Sequence, residues 1–138
     1  MVQIENMTVS DLDEISLTDF DDFWTYNTFK LELQNPNSKY IVARINEEIV
    51  GFAGIWDSSD DIHITNIVIK KSKRKLGIGK LLLEKLIEIT NNRNLTLEVN
   101  ENNVPAINLY TNYGFKKLGI RKNYYQGQNA IIMTRNNI

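Results

Sequence analysis

The sequence has no cysteine, two prolines and one histidine among its 138 residues. Without a thiol there is no disulfide, no thiolate nucleophile and no cysteine-ligated zinc. The lone His63 cannot build another zinc site by itself, so it reads as a polar position on a strand and no metal is expected. No apolar run approaches the ~20 residues that span a bilayer. Met1–Ser10 lacks the basic and apolar regions of a secretory signal, and a cytoplasmic location is expected. No repeat, low-complexity tract or Pro/Gly-rich linker interrupts the chain, whose length suits one domain over 1–138. A hydrophobic content of 42% is enough for a packed core.

Charge of one sign is also missing locally. Residues 1–29 hold no Lys or Arg but carry Glu5, Asp11, Asp13, Glu14, Asp19, Asp21 and Asp22. From Ile62 to Leu83 there is no acid, while Lys70, Lys71, Lys73, Arg74, Lys75 and Lys80 crowd together. The split points to two partner surfaces of opposite sign, against the alternative of two solvated faces.

Hydrophobic periodicity supplies the elements. Gln3–Met7 reads as a strand, Ser10–Phe20 as a helix with an acidic first turn, and Thr25–Leu33 as a second helix ended by Asn35-Pro36-Asn37. Lys39–Ile45 and Ile49–Trp56 form a hairpin pattern, and Ile62–Ile69 is a β-branched strand. Ile78, Leu81, Leu82, Leu86 and Ile89 follow helical spacing from Gly77 onward. Leu95–Val99 is a strand, and Pro105 opens a further helix capped by Asn102 or Asn103 and closed by Gly114. Lys116–Tyr124 and Ala130–Thr134 end the chain as strands. The order βααβββαβαββ, with one clear helical crossover late in the chain, predicts an α/β fold with a mixed sheet flanked by helices. A doubly wound parallel sheet does not fit.

The segment Arg74-Lys75-Leu76-Gly77-Ile78-Gly79-Lys80 joins a strand to a helix. Glycines there let a ligand approach the backbone, the first-turn N–H groups point at it, and the cations favour a phosphate or pyrophosphate. A dinucleotide fingerprint fails because position 82 is Leu82, and a P-loop fails on spacing. A simple tight turn is the alternative.

Arg74-x-x-Gly77-x-Gly79, after Ile67-Val68-Ile69, resembles the acetyl-CoA motif of the GNAT superfamily of N-acetyltransferases. Asn103-x-x-Ala106-x-x-Leu109-Tyr110-x-x-x-Gly114-Phe115 resembles its second signature. Trp24, Phe29, Glu32-Leu33, Asn35 to Tyr40, Leu97-Glu98-Val99, Arg121-Lys122-Asn123-Tyr124-Tyr125 and Ala130 to Met133 resemble the RimI type. Those enzymes acetylate the N-terminal alanine of a ribosomal protein. Three departures lie toward the acceptor side. Asn100 stands where the type often has Arg, Gln128 and Asn129 where acids are usual, and the link after Tyr125 is short.

The resemblance implies a GNAT-like fold, a mostly antiparallel mixed sheet, and acetyl-CoA as cosubstrate held by Ile67–Ile69, Arg74–Lys80 and Asn103. It makes Glu98 the general base, acting through a water, and Tyr110 the general acid for the departing thiolate. Backbone N–H groups of Ile67, Val68 and Ile69 would stabilise the oxyanion. Trp24, Tyr124 and Tyr125 would line the acceptor site, although adjacent strand residues face opposite sides. The alternatives are a solvent-facing Glu98, a core Tyr110 and an Asn103 that is only a helix cap.

An α-amino group of pKa ~8 is about 10% neutral at pH 7, against ~0.04% for a lysine, so a modest base suffices for a protein N-terminus. The resemblance implies a protein N-terminus, such as that of a ribosomal protein, as the acceptor. The acids from Asp11 to Asp22 would form a rim favouring basic peptides. A small-molecule amine or a non-catalytic acyl-CoA-binding module are the rivals. Neither membrane nor nucleic-acid binding is expected.

Overall fold

A computed structural model describes residues 1–16, 26–125 and 127–136, with backbone alone for 16 and 123–125. The strands are β1 (Val2–Asn6), β2 (Ser38–Ile45), β3 (Glu48–Asp57), β4 (Ile62–Ile69), β5 (Leu95–Asn100), β6 (Lys116–Tyr125) and β7 (Gln128–Arg135). The helices are α1 (Asp11–Ser16), α2 (Tyr26–Gln34), α3 (Ile78–Ile89) and α4 (Val104–Asn112), with a 3₁₀ turn at Lys71–Lys73. The order matches the expected βααβββαβαββ. Helix α1 is described over Asp11–Ser16, and the remainder of the helix expected to Phe20, 17–20, lies outside the described residues.

One seven-stranded sheet runs β1-β2-β3-β4-β5-β7-β6, antiparallel everywhere except between β4 and β5. Alternation decides which side each strand gives to which helices. Ile41, Ala43, Ala53, Ile62, Ile64, Leu95, Leu97 and Val99 face α3, whose Ile78, Leu82, Leu83 and Leu86 are fully buried. Tyr40, Val42, Ile49 and Phe52 face the other way, onto Leu12 and Ile15 of α1 and Phe29 of α2. Phe29 fixes that layer, with its ring centroid 5.1 Å from Tyr40 and 5.4 Å from Phe52.

Two backbone details position the site. Between β2 and β3 the turn has two residues, Asn46 (φ 50°) and Glu47 (φ 70°), both left-handed as a type I′ hairpin requires. In β4 an extra residue, Thr65, makes a bulge opposite the Gly54–Ile55 step. The bulge turns both Thr65 and Asn66 toward the Tyr40 hydroxyl, at 3.1 and 3.3 Å. Burial pushes that phenol above its ordinary pKa. Bulges increase local twist, and this one begins two residues past the last pairing of β4 with β5.

Candidate active site

β4 and β5 pair only at Ile62↔Leu95 and His63↔Thr96. Past that point they diverge, while β5 stays paired to β7 along its whole length. The N–H of Lys70 donates to Val50 O at 2.8 Å, which sets the parity of the β3–β4 ladder. Asn66, Val68 and Lys70 turn their backbone groups toward β3, and Ile67 and Ile69 turn theirs into the β4–β5 gap. The Ile67 and Ile69 side chains pack with the α3 cluster and that of Val68 with the α2 cluster. What these residues offer the gap is therefore backbone.

The glycine loop closes the open end of that gap. Arg74 Nε donates to Ile69 O at 3.3 Å, tying the loop to the end of β4. Lys75 (φ 66°) and Gly77 (φ 81°) are left-handed, and Gly77 caps α3. The first helical bond is Leu81 N–H to Gly77 O, so the N–H groups of Ile78, Gly79 and Lys80 stand ahead of it. Ile78 puts its side chain into the core, whereas Leu76 and Lys80 are exposed. A Cβ on Gly77 would meet nothing within 4 Å. One on Gly79 would make only ordinary contacts, with Leu109 at 3.7 Å and Ile69 at 4.0 Å. The left-handed φ of Gly77 explains that glycine, but neither backbone nor packing demands one at Gly79, so the space there suits a ligand. Amide donors, a positive helix end and surrounding cations match a diphosphate.

Glu98 and Tyr110 flank the gap from opposite sides of the sheet. Tyr110 on α4 is nearly buried in the α3-side cluster with Leu97 and Val99, its ring 5.6 Å from Phe115. Glu98 lies between Leu97 and Val99 and so faces the α1–α2 side. Its Oε1 accepts an ion pair from Arg121 Nη2 at 2.9 Å, and its Oε2 is buried with no hydrogen-bond partner among the described residues. Asn103 caps α4, its Oδ1 accepting from Ala106 N–H at 3.3 Å. Gly114 (φ 89°) closes the helix. Tyr113 anchors α4 to α3 through its hydroxyl, which donates to Glu84 at 2.6 Å. That bond, with burial, pushes its phenol up to about 12.

Residues 9–115 match the sequence profile of the acetyltransferase (GNAT) family. The chain belongs to that family. A Bacillus subtilis protein named as a candidate ribosomal protein bS18-alanine N-acetyltransferase is 39% identical, over 94% of this chain and 92% of its own length. The ribosomal-protein-S18-alanine N-acetyltransferase of Escherichia coli superposes with a TM-score of 0.88 at 29% identity, covering 98% of this chain and 93% of that one. A GNAT acetyltransferase of Elizabethkingia anophelis, solved with acetyl-CoA bound, shares the fold at 22% identity and a TM-score of 0.79, covering 99% and 98%. This GNAT chain is an acetyl-CoA-dependent N-acetyltransferase.

The fold gathers Ile67–Ile69, Arg74–Lys80, Glu98, Asn103 and Tyr110 around the β4–β5 gap and its mouth. Trp24 lies outside the described residues, and of Tyr124 and Tyr125 only the backbone, at the end of β6, is described. The acidic rim is corrected in part. Asp11 is buried against Arg44 of β2, Glu5 and Glu14 lie within 3.8 Å of the same guanidinium, and Glu14 also accepts from Ile49 N–H at 2.7 Å. These three acids hold the N-terminal segment to the sheet. Asp19, Asp21 and Asp22 lie outside the described residues.

Two departures from the RimI pattern meet each other: Asn100 Nδ2 donates to Gln128 Oε1 at 2.6 Å, a neutral pair where the type has an Arg and acids. The Arg121–Glu98 contact is the partnership that motif reading missed. Its signal is alternation, because Arg121 pairs with Ala130, Ala130 with Asn100, and Asn100 shares a face with Glu98. A cavity of about 300 Å³ lies at the opposite end of the sheet, beside the Asp57–Arg93 ion pair, where β4 and β5 are still joined.

Proposed function

We propose that this GNAT enzyme acetylates the α-amino group of protein N-termini, with an N-terminal alanine of a ribosomal protein as its acceptor. The observation that carries the reading is the division of labour across the sheet. A carboxylate with one unpartnered oxygen lies on the α1–α2 side of the gap, and a buried phenol lies on the α3–α4 side. Direct transfer needs that arrangement, since an amine entering from one face must lose a proton while a thiol leaving from the other gains one.

Bound acetyl-CoA supplies an acetyl group activated as a thioester. The amides of Ile78–Lys80, with Arg74 and Lys75 beside them, hold its diphosphate, and Asn103 borders the pantetheine arm while capping α4. Ile67 and Ile69 offer N–H groups to the acetyl oxygen, where negative charge develops. Glu98 takes the proton of the acceptor ammonium, directly or through one water. Tyr110 donates its phenolic proton to the sulfur as it departs. The RimI resemblance makes Trp24 and one of Tyr124 and Tyr125 the candidates for the acceptor side, since adjacent strand residues face opposite ways. The two relatives named for alanine N-acetylation of a ribosomal protein support this acceptor. A reaction that draws on acetyl-CoA and newly made ribosomal proteins fits the cytoplasm.

The test is to incubate the protein with acetyl-CoA and a library of N-terminal peptides, with spermidine and an aminoglycoside alongside, and to read acetylation by mass. Ala-starting peptides should dominate. Turnover of the free amines without the peptides would overturn the acceptor. Tight acetyl-CoA binding without turnover of any amine would overturn the catalysis.

A further inference from the structure

Glu98 and Arg121 are not on neighbouring strands. β7 runs between them, with Ile132 opposite Glu98 and Ala130 opposite Arg121. Two inter-strand spacings of about 4.8 Å separate their backbones by roughly 10 Å, yet Arg121 Nη2 comes within 2.9 Å of Glu98 Oε1. The guanidinium reaches diagonally from the Ala130 register, where the intervening side chain is a single fully buried methyl.

Stability does not explain this contact. The Arg121 side chain is 53% exposed and that of Glu98 25%. An exposed ion pair is worth about 0–1 kcal/mol, whereas a buried oxygen left without a donor costs about 1–3 kcal/mol. Oε2 is such an oxygen. The arrangement fixes one oxygen of the carboxylate and leaves the other wanting an N–H donor, in the middle of the acceptor face.

We infer that Arg121 is a positioning residue: by holding Oε1 it sets the Glu98 side chain so that Oε2 receives the N–H of the acceptor's α-ammonium. This rests on Glu98 being the base. Holding the carboxylate in one rotamer across a β-sheet is a task for a planar guanidinium, and a flexible ammonium would do it less well. No bond to the acetyl donor is involved, so its affinity is untouched.

The experiment measures steady-state kinetics of the full chain with acetyl-CoA and an Ala-starting peptide, for wild type, Arg121→Gln, Arg121→Lys, Glu98→Gln and the double variant. Arg121→Gln should lower kcat/KM for the peptide about 10- to 100-fold and leave KM for acetyl-CoA within about two-fold. Arg121→Lys should restore part of the loss. Because Arg121 acts through Glu98, the double variant should be no slower than Glu98→Gln alone. An unchanged Arg121→Gln beside an impaired Glu98→Gln overturns the positioning role and leaves the base intact. A further loss in the double variant, or a rise in KM for acetyl-CoA, also overturns it. A fully active Glu98→Gln overturns the reading of the base itself.

Discussion

Gly79→Ala separates the two reasons for which a glycine could stand in the first turn of α3. If the backbone needs it, alanine destabilises the fold. The structure argues otherwise, because Gly79 has no positive φ and its added Cβ would meet only Leu109 Cδ2 at 3.7 Å and Ile69 Cγ1 at 4.0 Å. Those are van der Waals contacts, and alanine is better than glycine in a helix by up to ~1 kcal/mol. The variant should therefore be as stable as wild type or more so, with Tm higher by as much as about 3–5 °C for a domain of this size. The same methyl points at side chains of β4 and α4, at the mouth of the gap, where the proposed reading puts the acetyl-CoA arm. There it should weaken acetyl-CoA by about ten-fold or more, equivalent to ~1.4 kcal/mol. Differential scanning fluorimetry without ligand and an acetyl-CoA titration by calorimetry give the two halves separately. Gly77→Ala is the internal contrast, since its φ of 81° makes alanine cost about 1–2 kcal/mol by itself. A Gly79→Ala protein that is more stable and binds acetyl-CoA normally would refute the view that this position is kept bare for a ligand.

Removing only the phenolic oxygen, Tyr110→Phe should leave the core and acetyl-CoA affinity intact while kcat falls roughly 10²-fold, the usual scale for a lost acid; single-turnover kinetics at saturating acetyl-CoA give the number. At the β2–β3 turn, Glu47 holds a left-handed φ of 70° without the glycine that a type I′ turn prefers, so Glu47→Gly should raise stability by about 0.5–1 kcal/mol in urea unfolding. Kinetic parameters report separately whether the change reaches the glycine loop, since Glu48 beside the turn pairs with Lys70 at the end of β4. A loss of stability would mean that the Glu47 side chain contributes more than its backbone strain costs.

The strand and helix order was legible because each element carries its own period: Leu95, Leu97 and Val99 alternate, and Ile78, Leu82 and Leu86 repeat at helical spacing. The glycine loop was legible through spacing, and Asn103 through cap chemistry. The bulge was also written in the chain. Ile62 and Ile64 keep one phase and Ile67 and Ile69 the other, and the polar pair Thr65-Asn66 absorbs the change. A uniform β-branched strand conceals that phase slip unless each apolar position is assigned a side. The early end of the β4–β5 ladder, and the gap it opens, are long-range consequences of the slip that local patterning cannot express. Glu98 and Arg121 were both visible, but their pairing depends on β7 inserting between β5 and β6, which places sequence-distant residues on one face.

The acidic N-terminal segment shows how linear charge misleads. Seven acids without one base read as a surface built for a cation. In the fold, a single arginine from a different strand draws three of them together, and Asp11 is nearly buried there with its second oxygen accepting from Thr8 N–H at 2.8 Å. A carboxylate so engaged has little field left to offer a substrate, and a buried pair resists loss of either partner far more than an exposed one does. The same logic runs in reverse at Glu98. There a lone acid, in a strand that gives it no charge pattern at all, is half-satisfied by one arginine and keeps an oxygen in reserve. On the reading proposed above, unmet hydrogen-bonding capacity at a buried atom, more than the density of charge along the chain, would mark where a cationic acceptor is met.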